Sequence, residues 1–88
     1  MPTKAEVRDA VVWYLAGFTG ISPTSIKDES ELKGPPLRFD DNRLAFLAMS
    51  LRGYVKNHRD SVTVSVGELR KAGLTVGGLV DLIHGKVK

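Results

Sequence analysis

The sequence predicts an all-α domain, a small bundle of three main helices and one short helix, with a long loop between helices 1 and 2. Three observations carry this. Apolar residues recur at i, i+3, i+4 spacing in three separate stretches, the pattern of helices that bury one face. Thr3 with Glu6, and Ser65 with Glu68, have the spacing of capping boxes at helix starts. The one strand-like alternation, Val62, Val64 and Val66, has no second strand to pair with and reads as an extended connection.

The first helix is expected from about Lys4 to Ala16, with Val7, Val11, Leu15 and Phe18 at helical spacing and Gly17 and Gly20 as stop signals. The segment "GISPTSIKDESELKGPPLRF" is rich in Ser, Pro, Gly and charge. It reads as a long ordered loop whose isolated apolar residues, Ile21, Ile26, Leu32, Leu37 and Phe39, pin it to the core. Helical spacing returns with Leu44, Leu47, Ala48, Leu51 and Val55, giving a second helix over about Asn42 to Lys56. Asp40 or Asp41 can accept hydrogen bonds from its free first-turn N–H groups, and either carboxylate suits the positive end of the helix dipole. A short third helix opens at Ser65, continues through Lys71 and stops at Gly73. Thr75 caps a fourth, in which Val76, Leu79, Val80, Leu82 and Ile83 form a broad apolar face before Gly85. Gly77 and Gly78 weaken that helix, so close packing or a tolerated weakness has to explain them.

Eighty-eight residues, 42% hydrophobic and 26% charged, make one ordinary globular domain spanning 1–88. There is no cysteine, which leaves no disulfide framework and no thiolate metal site. The first nine residues lack the long apolar region of a signal peptide, and no apolar run approaches the ~18 residues needed to span a bilayer. A cytoplasmic protein with no membrane association is the expectation. Net charge is +3, unevenly divided: Met1 to Asp41 holds five Lys/Arg against seven Asp/Glu, and Asn42 to Lys88 holds eight against three.

Little in the chain points to chemistry. His58 and His84 are isolated, without metal-ligand spacing, and the serines have no base and orienting group marked out beside them. No metal, no catalytic residue and no enzymatic activity are expected. Arg52, Lys56 and Arg59 form a small basic cluster, but the second helix also presents Ala45, Phe46 and Met49, which are poor readers of base edges. A protein partner suits an apolar pair such as Phe46 and Met49 better than nucleic acid does. Packing of Phe46 under the long loop is the competing reading.

The order of these pieces resembles the acyl carrier protein family over nearly the whole chain. "GISPTSIKDESEL" (Gly20 to Leu32) is similar to the family's loop after its first helix. "VSVGELRKAGLTVGGLVDLI" (Val64 to Ile83) is similar to its third-to-fourth helix region. The resemblance implies an acyl-carrier-protein-like bundle. In that family a serine in Asp-Ser-Leu, at the start of the second helix, is esterified to 4'-phosphopantetheine, whose thiol carries the acyl group. Laid without a gap, "FDDNRLAFLAMSL" sets Asp40 on the family's Asp, Asp41 on its Ser and Asn42 on its Leu. The attachment serine is absent, a carboxylate cannot take the arm as a hydroxyl does, and the nearest downstream serine is Ser50. Phe46, Arg52 and Gly53 stand where the family usually has acidic docking residues, so a partner is expected to be acidic or apolar.

Two functional classes follow. The first is a carrier-like interaction module without an arm, in fatty-acid, polyketide or peptide biosynthesis. It would dock a biosynthetic enzyme through Asn42, Ala45, Phe46, Met49 and Arg52, with Asp41 as a helix cap. The second is a specialised acyl or peptidyl carrier, modified at a non-standard serine or holding a lipid non-covalently.

Overall fold

The computed structural model describes all 88 residues, and its regular elements are all helices. Its elements are α1 (Lys4–Thr19), a 3-10 turn (Pro23–Ser25), α2 (Asp41–His58), α3 (Val66–Leu69) and α4 (Val76–Val87). α1 packs against α4 and α2, and α2 also against α3 and α4. The apolar stripes read from the sequence are the ones that meet: Val7, Val11 and Leu15 of α1, Leu44, Leu47, Ala48, Leu51 and Val55 of α2, and Leu79, Val80 and Ile83 of α4 are all buried. Every buried residue is apolar, and no buried side-chain polar atom lacks a partner.

The caps at Thr3 and Ser65 form as complete capping boxes, and Thr75 accepts from the Gly78 N–H at 3.1 Å. Helix ends differ from expectation in both directions. α1 runs through Gly17 to Thr19, because the left-handed C-cap falls on Gly20 (φ +75°), whose N–H donates to the Ala16 carbonyl. α2 begins at Asp41 and reaches His58, whose ring meets Tyr54 edge-on at 5.0 Å. α3 is a single turn ending at Leu69, short of Lys71; Val66 belongs to it and not to the extended connection, in which Val64 is fully buried. α4 continues past Gly85, because burying Val87 rewards one more turn.

The long loop is ordered as expected, with Ile26, Leu32, Leu37 and Phe39 buried. Its backbone is tied to the start of α4. Val76 N–H donates to the Ser30 carbonyl (2.8 Å), Gly77 N–H to the Asp28 carbonyl (2.8 Å) and Leu32 N–H to the Leu74 carbonyl (3.0 Å). The first two satisfy N–H groups that a helix cannot satisfy internally. Gly77 is explained here: a Cβ would stand 3.3 Å from the Asp28 carbonyl oxygen. Gly17, Gly53 and Gly85 meet nothing within 4 Å, although a helical glycine costs ~1 kcal/mol relative to alanine.

α3 and α4 are joined through Glu68, which accepts from the Ser65 N–H (3.0 Å) and pairs with Lys86 (3.0 Å). Those bonds, the Ser65 N–H first, hold its carboxyl below the usual carboxylate range. The folded state therefore binds that proton less readily than the unfolded chain. Its stabilisation is complete above the unfolded pKa and is lost as pH falls through the lower folded value. Thermal melts across about pH 6 to pH 2 should show an acid-side loss of stability, and Glu68→Gln should remove part of that loss while melting lower at neutral pH.

Candidate functional site

The loop enters α2 through a tight alternation. Leu37 and Phe39 are buried, and Arg38 between them stays exposed in the left-handed region at φ +51°. Phe39 N–H donates to the Leu32 carbonyl at 2.8 Å, and its ring meets Phe18 edge-on at 6.1 Å. With Phe39 buried before the turn and Leu44 buried after it, the register of the helix start is set. Asp40 is the N-cap, its Oδ1 accepting from the Arg43 N–H at 2.8 Å.

Asp41 is therefore not the cap. It is the first helical residue, and its carboxylate lies 3.4 Å from Lys33 Nζ and 3.6 Å from Arg70 Nε. Arg70 also donates through Nη2 to the Asp41 carbonyl at 3.4 Å. Two cations from distant segments thus converge on a carboxylate at a helix N-terminus, where negative charge is already favoured. No hydroxyl stands at this position. Ser50 lies nine residues further along α2, roughly 13 Å up the axis.

The outer face of α2 holds the other expected residues. Phe46 and Met49 are each 60% exposed, which removes the reading of Phe46 packed under the loop. Asn42 is exposed, and Ala45 is half-buried at the edge of the face. Arg52 is half-buried and committed within the chain: its Nε and Nη2 both donate to the Val64 carbonyl, at 3.3 and 3.0 Å, holding the extended connection against α2. Arg43 reaches the Phe18 carbonyl at 3.4 Å. These partners are neutral, and Lys56 is exposed, so none of the α2 cations Arg43, Arg52 and Lys56 is in a salt bridge. Beyond Asp41 the helix contains no acid. The result is an apolar pair set in uncompensated positive charge.

Chemistry elsewhere is sparse. No group of three His, Cys, Asp or Glu side chains is arranged to hold a metal, and no helix is long and apolar enough to cross a membrane. An open groove of about 850 Å³ beside α3 and α4 includes Ser65 and Glu68, but these are bonded to each other in the capping box. Two features escaped the sequence reading. Lys33 and Arg70 reach Asp41 across separations that no local pattern encodes. Trp13, 69% exposed on α1, was legible, since helical geometry sets it opposite Val7, Val11 and Leu15.

No protein-family model, curated protein or solved structure matches the chain.

The two adjacent aspartates should separate in a urea denaturation. Asp40→Ala is expected to cost ~1 kcal/mol through loss of the cap. Asp41→Ala, which gives up exposed ion pairs and a charge favoured at the helix N-terminus but no cap hydrogen bond, should cost less than Asp40→Ala.

Proposed function

We propose that this chain is an acyl-carrier-protein-like domain that lacks the phosphopantetheine attachment serine and acts in the cytoplasm as a protein-interaction module. It docks a biosynthetic enzyme of fatty-acid, polyketide or peptide metabolism through the outer face of α2. The observation that carries this reading is that face itself: Phe46 and Met49, each 60% exposed, set among cations with no acidic partner. Exposed aromatic and methionine side chains are effective anchors in interfaces. Unpaired positive charge around them favours an acidic docking surface over a basic one. The carrier-like part is supported by the order of elements, a long crossover leading into α2 with a single-turn helix before the last, and by Asp41 at the first position of α2. The domain holds no arm in this reading, and Asp41 stays bound to Lys33 and Arg70 where a carrier would present its serine.

Phe46→Ala and Met49→Ala should each reduce capture of the partner enzyme from host extract while changing folding stability by less than about 0.5 kcal/mol. A large loss of stability with unchanged capture would place these side chains in the fold and not in docking. The carrier part is tested by restoring the hydroxyl. Asp41→Ser with Asn42→Leu, incubated with a phosphopantetheinyl transferase and coenzyme A, should gain the mass of one phosphopantetheine, and the wild-type chain should gain none. A folded double variant that stays unmodified would count against carrier-like geometry at the start of α2.

A further inference from the structure

Gly17 and Gly53 have no task inside the monomer. Each lies within a long helix, neither has a positive φ, and no atom stands within 4 Å of where a Cβ would be. Gly85 is equally open, but no large exposed apolar side chain lies near it in α4. Gly17 and Gly53 differ from it in a shared way. Gly17 follows the 69%-exposed Trp13 by four residues, and Gly53 follows the 60%-exposed Met49 by four. Residues four apart lie on one helix face, about one turn from each other.

The charges around these two pairs are opposite. The outer face of α1 carries Asp9, which lines one groove with Trp13, Lys27 and Glu29, while Lys4 and Arg8 are taken up by Asp81 and Asp28 and Glu6 by the Thr3 N–H. The outer face of α2 carries Lys56 beyond Gly53, and after Asp41 the helix holds no acid. When the two helices are laid antiparallel, the spacings coincide: Trp13 falls over Gly53, Met49 over Gly17, and Asp9 beside Lys56. A notch of about 160 Å³, lined by Trp13, Tyr14, Gly17 and Phe18, lies where Met49 would enter. Glycine opposite a large side chain lets helices approach closely, because the separation of packed helices is set by the side chains at the contact. Both faces point outward from the same molecule, so the contact needs two chains.

We propose that the chain binds a second copy of itself, the outer face of α1 in one molecule packing antiparallel on the outer face of α2 in the next. Each molecule offers both halves of the contact, the outer face of α1 and the outer face of α2. The proposal rests on α2 being a docking face and goes beyond the enzyme reading: a second copy and the enzyme use the same face in alternation.

Sedimentation of the wild-type chain over a concentration series, read together with the emission of Trp13, the only tryptophan, tests it. Association with rising concentration and a blue shift of Trp13 are expected. Gly17→Leu and Gly53→Leu, placed where nothing lies within 4 Å, should fold and melt no lower than wild type. Each should weaken self-association by about tenfold or more through overpacking of the contact. Mixing the two variants should restore one interface, α1 of Gly53→Leu on α2 of Gly17→Leu, and give a two-chain species. A wild-type chain that stays monomeric with unchanged emission up to about 1 mM overturns self-binding, while the enzyme-docking reading stands or falls separately on the Phe46 and Met49 captures. Association that survives either leucine variant, or a mixture that stays monomeric, also overturns it.

Discussion

The structure depends on the backbone strap between residues 28–32 of the long loop and 74–77 at the start of α4. Its carbonyls at Asp28 and Ser30 accept from the first two N–H groups of α4, and the Leu74 carbonyl accepts from Leu32 in return. Those α4 donors have no partners within their own helix, so the loop serves as a cap built from a remote segment. The same strap buries Leu32, whose carbonyl then accepts from Phe39. Phe39 in turn sets Asp40 at the N-cap of α2. One constraint therefore runs from the last helix, through the crossover, to the residue that starts the second. Gly77 is the price of this arrangement, since a side chain there would press on the Asp28 carbonyl.

With the start of α2 fixed, the roles of its first residues separate. Asp40 spends its carboxylate on a backbone N–H and belongs to the fold. Asp41, one residue later, points its carboxylate to Lys33 and Arg70, which come from the strap side of the loop and from the residue after α3. Exposed ion pairs of this kind contribute little stability. Their effect is to neutralise the only free acid of α2 at its N-terminal end, leaving the rest of the helix uniformly cationic. The electrostatics of the outer face of α2 thus arise partly from residues that are not on it.

The caps were the most legible part of the sequence. Thr3 with Glu6 and Ser65 with Glu68 are local devices, complete within four residues, and both form as read. Helix ends were less legible because they are decided by burial elsewhere. Gly17 and Gly20 are equal stop signals in sequence, and the contact of Phe18 with Phe39 favours carrying the helix past the first to the second. Val87 similarly extends α4 through Gly85. The exchange of roles between Asp40 and Asp41 follows the same logic: either side chain can cap a helix, and the burial of Phe39, a tertiary fact, chooses between them. Phe46, Met49 and the outward-facing residues were identifiable from periodicity, whereas the convergence of Lys33 and Arg70 was not.

A small domain has a narrow stability margin, since it buries a modest share of its surface. Features that weaken the monomer without serving it are then informative. Trp13 and Met49 stay in water although burial would stabilise each of them, and Gly17 and Gly53 weaken helices that have room for alanine. Within one chain these are unrelated losses. Paired across two chains they become complementary, because a large side chain left in water on one helix is matched by a missing side chain at the same spacing on the other. Charge agrees with shape: the helix with the exposed tryptophan is flanked by acid, and the helix with the exposed methionine is flanked by base. Agreement among side-chain size, spacing and charge is what an interface requires, and nothing in the packing of the monomer requires it.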